Sequence, residues 1–104
     1  MMWSTQEALK LIRIVHPEAY ACGWNLHLGG GLATKEDTSD KDADILAMPR
    51  YQTRDHDQGG LLAAFGRRGW AYTGLETLPH RRVCTLRKDG KVVDLIFVLL
   101  PLAE

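Results

Sequence analysis

Three aspartates carry the chemistry for which this chain is equipped. Asp42 and Asp44 flank Ala43 at the head of the run Ile45-Leu46-Ala47-Met48, and Asp94 stands inside Val92-Val93-Asp94-Leu95-Ile96-Phe97-Val98. Upstream, Leu26-His27-Leu28 runs into Gly29-Gly30-Gly31. Strand side chains alternate between faces, so Asp42 and Asp44 share one face, and Ala43, Ile45 and Ala47 share the other. Two neighbouring carboxylates repel each other and lose solvation, and a divalent cation turns that repulsion into attraction. Asp40 belongs to the same alternation, but a 40/42 pairing would send Lys41 into the core. A charge at Asp94, among Val, Leu, Ile and Phe, is costly unless it is paired or bound to metal. If its strand lies beside that of Asp42 and Asp44, three acids surround one site beside a bare glycine turn. Such an arrangement suits two-metal phosphoryl chemistry, with ions roughly 3.5–4 Å apart, and a phosphate approached by backbone N–H groups.

The elements that must position these residues follow from periodicity. Ser4 with Glu7 fits a capping box, and Ala8, Leu11, Ile12 and Val15 recur at helical spacing, with Pro17 expected to end the helix. A strand is expected over 21–28, a polar loop over 34–41, a strand over 42–48 and a second loop over 51–58. Asp57 is the expected N-cap of a helix from Gln58 to Arg68 with Leu61, Leu62, Ala64 and Phe65 on its apolar face and Gly69 as its stop. Residues 70–80 read as irregular. A hairpin follows, with Arg82–Arg87 and Lys91–Leu99 joined by the turn Lys88-Asp89-Gly90, whose Asp-Gly is a hairpin signal. The order predicts an α+β domain with a mixed or antiparallel sheet of about four strands and helices packed on one face.

Composition sets bounds on function. The chain has 104 residues, which suits one domain spanning 1–104. Lys plus Arg and Asp plus Glu number 13 each, so net charge offers no argument for a nucleic-acid partner. Two cysteines, Cys22 and Cys84, are expected as reduced thiols, and zinc ligation would need more Cys or His at ligand spacing. There is no secretory signal pattern and no apolar run of membrane-spanning length, so a cytoplasmic protein is expected, with no membrane partner. Trp3, Trp24 and Trp70 are expected in the core or at its edge, His27 as a structural histidine, and Asp55-His56-Asp57 as a helix cap.

Leu28-Gly29-Gly30, then Asp42-Ala43-Asp44-Ile45, then Asp94 in Val-Val-Asp-Leu-Ile together resemble the signature of the DNA polymerase β-type nucleotidyltransferase superfamily. The likeness spans about residues 21 to 98 and is greatest to its minimal stand-alone members, of phage, bacterial or antitoxin type. It implies transfer of a nucleoside monophosphate from a nucleoside triphosphate, ATP foremost, to a hydroxyl on RNA (tRNA included), a protein or a small molecule, with release of pyrophosphate. It further implies Mg²⁺ or Mn²⁺ held by Asp42, Asp44 and Asp94, and triphosphate bound at Gly29, Gly30 and Gly31. Family members often carry Ser after the first Gly, and Thr34 or Lys35 would supply the missing side chain here. Two other readings of the same residues remain: a non-catalytic nucleotidyltransferase-fold module acting on a partner protein or nucleic acid, and a phosphohydrolase. A homodimer through an exposed sheet edge is compatible with each.

Overall fold

The computed structural model describes residues 3–30, 38–39, 42–50 and 56–99. Its elements in chain order are β1 (Trp3–Ser4), α1 (Thr5–Ala21), β2 (Trp24–Leu28), β3 (Thr38–Ser39), β4 (Ala43–Pro49), α2 (Gln58–Gly66), β5 (Ala71–Leu78), β6 (Arg81–Lys88) and β7 (Lys91–Val98). Local chemistry explains most of the boundaries. The Ser4 hydroxyl accepts from the Glu7 N–H at 3.1 Å, and the Glu7 carboxylate accepts from the Ser4 N–H at 3.2 Å, which completes the capping box of α1. The Asp57 carboxylate accepts from the Gly60 N–H at 2.8 Å and caps α2. Asp89 (φ 52°) and Gly90 (φ 78°) both take the left-handed conformation of a two-residue hairpin turn between β6 and β7.

Five strands form the main sheet in the order β2-β4-β7-β6-β5, and β1 with β3 makes a separate two-stranded pair. The β4–β7 pairing is parallel and the other three are antiparallel. Both helices cover the same face of this sheet. Ala8, Ile12, Val15 and Ala19 of α1 and Leu61, Ala64 and Phe65 of α2 are buried there with Ala43, Ile45, Ala47, Val93, Leu95 and Phe97. Trp24 packs edge-on to the Phe97 ring at 4.9 Å, and its indole N–H donates to the Asp57 carbonyl at 3.2 Å. Trp3 stacks on Trp70 at 5.8 Å and donates to the Val92 carbonyl at 2.8 Å. All three tryptophans are therefore core residues. Among the described residues, no helix is long and apolar enough to cross a membrane.

The α+β architecture with helices on one face agrees with the sequence, and four details differ. The main sheet has five strands, not four, because residues 71–78, expected to be irregular, form β5. β5 is exposed along most of its length, so it shows no apolar alternation, and its ladder to β6 defines it. Helix α1 runs through Pro17 to Ala21. Pro17 and Arg13 are both exposed, so the carbonyl left without a donor faces water, while Val15 and Ala19 carry the buried stripe past the proline. Cys22 caps that helix rather than lying in a strand, and both cysteines are free thiols. Helix α2 stops at Gly66.

The two faces of β4 predict opposite responses. Ile45→Ala should lower the unfolding free energy by about 2–5 kcal/mol, as for buried large-to-small changes. Asp44→Asn, one residue away on the face opposite the helices, should not lower it. Urea unfolding of the two variants measures both.

Candidate active site

The face of the sheet away from the helices carries the acids. Parallel pairing of β4 with β7 sets Asp44 directly opposite Asp94, and their neighbours Ala43 and Val93 are paired on the buried side. Asp42 lies just before β4 and is exposed. On the other flank of β7, Thr85 of β6 is opposite Asp94, and its hydroxyl donates to Asp94 Oδ1 at 3.3 Å. The glycine bend closes the β2 side. Gly29 donates its N–H to the Asp44 carbonyl at 2.8 Å. Gly30, with φ +65°, lies so close to the Asp44 side chain that a Cβ there would be 2.5 Å from Asp44 Oδ2. Only a residue without a side chain permits this bend and this contact together.

Electrostatics show the strain of gathering like charges. Partial burial, the neighbouring Asp42 charge, a hydrogen bond shared with Asp42 and the Asp44 charge push the Asp94 carboxyl up to about 6, with the Thr85 hydroxyl acting the other way. Partial burial and then Asp42 raise the Asp44 carboxyl above its ordinary value. As the side chains stand, no three carboxylate, imidazole or thiol groups among the described residues converge on one point at ligand distance. The donor set still fits a hard divalent cation, since it is all carboxylate oxygen.

The structure brings together Asp42, Asp44, Asp94, Gly29 and Gly30. Gly31, Thr34 and Lys35, and the alternative acid Asp40, lie outside the described residues. His27 is exposed in β2 rather than structural in a core. Three arginines make structural contacts. Arg67 and Arg68 reach Glu18 of α1 at 3.3 and 2.7 Å and tie the helices together. Arg82 donates to Gln58 Oε1 at 2.7 Å, on the helix side of the sheet. Thr85 is the residue that sequence reasoning passed over. A signal for it exists, because a two-residue turn at Asp89-Gly90 pairs Lys88 with Lys91 and, counting back, Thr85 with Asp94.

No family model and no curated protein matches this chain. Solved structures do. It is similar to a cytoplasmic RNA terminal U-transferase, with a TM-score of 0.65 and 11% identity over 89% of this chain and 28% of the other. It is also similar to the RNA terminal uridylyl transferase Cid1, with a TM-score of 0.70 and 12% identity over 89% of this chain and 31% of the other. This likeness establishes a nucleotidyltransferase-type fold, and the chain spans less than a third of the length of either structure.

Two outcomes follow from this geometry. The folded state raises the Asp94 pKa from 3.8 to about 6, so it binds that proton more tightly than the unfolded chain. Stability linked to this group is therefore lost as pH rises from about 4 to about 6. Asp94→Asn should accordingly melt higher than the parent above pH ~6, with the difference vanishing near pH ~4; thermal melts across pH in chelator test this. Gly30→Ala should weaken Mn²⁺ binding, measured by electron paramagnetic resonance, because the methyl displaces Asp44 Oδ2. Its left-handed backbone adds a stability loss of about 1–2 kcal/mol.

Proposed function

We propose that this domain is a divalent-cation-dependent nucleotidyltransferase that moves a nucleoside monophosphate from a nucleoside triphosphate to the terminal hydroxyl of RNA, releasing pyrophosphate. One observation carries the reading. Asp44 and Asp94 are directly opposed on adjacent parallel strands, on the face away from the helices, with the Asp42 charge beside Asp94 and Gly30 against Asp44. The fold likeness to two RNA terminal uridylyl transferases supports the reaction class and the choice of RNA.

Asp42, Asp44 and Asp94 would hold the cation. Mg²⁺ or Mn²⁺ bound there would neutralise charge on the attacking and leaving oxygens. The chain's own residues supply the rest. Asp94, opposed to Asp44 and held by Thr85, is the carboxylate suited to take the proton of the acceptor hydroxyl. The Thr85 hydroxyl holds Asp94 Oδ1 and so limits its rotation. Because the Gly29 N–H is committed to the Asp44 carbonyl, Gly30 is the residue of the described bend left to meet a phosphate oxygen. No side-chain nucleophile is needed, which suits a site built of carboxylates.

Incubation with each α-labelled nucleoside triphosphate, Mg²⁺ or Mn²⁺ and a short RNA tests the proposal. Label should pass to RNA with a free 3′ hydroxyl and not to RNA with a blocked one. Asp42→Ala and Asp94→Ala should each reduce transfer roughly a hundredfold or more. Hydrolysis of the triphosphate with no labelled RNA would assign the acids to a phosphohydrolase instead, and nucleotide binding without turnover would leave a binding module.

A further inference from the structure

Strand β5 ends the main sheet on the side opposite β2, and among the described residues nothing pairs with its outer edge. It is 8 residues long, and all but Gly74 and Leu78 are exposed. An unpaired edge of this kind is a template for another strand, and proteins commonly blunt it with lysine, proline or inward-pointing charge. β5 has none of these, and Glu76 is its one charged residue. A bulge at Thr73 disturbs the ladder to β6 only near the start of the strand, leaving Gly74–Leu78 regular. The edge also carries Tyr72 and Leu75, which are 51% and 55% exposed. Both lie on the helix side of the sheet, since Tyr72 is paired with buried Leu86 and Leu75 with buried Cys84.

We propose that β5 pairs antiparallel with β5 of a second copy of this chain, about a two-fold axis at Leu75, joining two five-stranded sheets into one of ten. The side chains select both the partner and the register. Directly opposed residues in an antiparallel pair share a face. Gly74 and Glu76 lie on the open side, opposite Thr85 and Val83, while Leu75 lies on the helix side. An axis at Glu76 sets two carboxylates against each other, which is destabilising. An axis at Gly74 opposes Glu76 to Tyr72, and these face opposite sides of the sheet. An axis at Leu75 sets Leu75 against its own copy and Glu76 against Gly74, so the apolar side chains meet and the lone carboxylate faces a residue with no side chain. The strand is self-complementary in this register over Gly74–Glu76, before the bulge at Thr73 ends the match. The two-fold runs through the sheet, so both open faces stay on one side. The two acid sites then share one continuous surface, with the Asp94 strands β7 of the two copies five strand spacings, or about 24 Å, apart.

Sedimentation velocity over a micromolar-to-millimolar range tests the pairing without reference to activity. A reversible monomer–dimer equilibrium is expected. Leu75→Lys, a change at an exposed position, should weaken it about tenfold or more by setting two ammonium groups across the axis, with the melting temperature of the monomer preserved. A short bismaleimide should cross-link Leu75→Cys far more efficiently than Glu76→Cys or the parent, which carries Cys22 and Cys84. A monomer throughout the range, a dimer that survives Leu75→Lys, or preferential cross-linking of Glu76→Cys would overturn the proposal.

Discussion

Parallel pairing of β4 with β7 is the constraint on which the rest of this structure depends. Both strands bury one face completely, through Ala43, Ile45 and Ala47 on one and Val93, Leu95 and Phe97 on the other. That burial fixes which way every other side chain points, because a one-residue slip would send carboxylates into the core and apolar groups into water. Asp44 and Asp94 are opposed because their neighbours Ala43 and Val93 must be. The hydrophobic side of the sheet is what holds like charges together on the other side.

The energetic consequence is a site at odds with itself. Ordinary folds separate carboxylates or pair them with cations, whereas the described ion pairs of this chain lie elsewhere, at Glu18 with Arg67 and Arg68 and at Glu7 with Lys91. Here the described relief is one hydroxyl, from Thr85. Residues that break local rules without structural gain are where function concentrates. The same holds for the bend, where Gly30 takes a left-handed conformation against Asp44.

The basic residues show how local structure can absorb a suggestive motif. Arg67 and Arg68 are adjacent cations in the sequence, and Glu18 of the neighbouring helix engages both. Arg82 is turned to the helix side and donates to Gln58. Recognition of an anionic partner through these three groups would break contacts that hold α1, α2 and β6 together.

Much of this was legible in the chain itself, wherever the determinant is local. The capping box at Ser4 and Glu7, the cap at Asp57, the Asp89-Gly90 turn and the facing of Asp42 and Asp44 depend on residues a few positions apart, and all are set by backbone sterics, short hydrogen bonds or the two-residue period of a strand. The hairpin even encoded the Thr85–Asp94 pairing, by counting outward from its turn. Tertiary structure decided what depends on distant partners. Pro17 stays helical because Val15 and Ala19 have a sheet to pack on, and β5 exists because β6 offers it a ladder. The meeting of Asp44 with Asp94, some fifty positions apart, needs two strands to run side by side in parallel. No local period carries that information, because a parallel pairing is closed by the shared core and not by a turn.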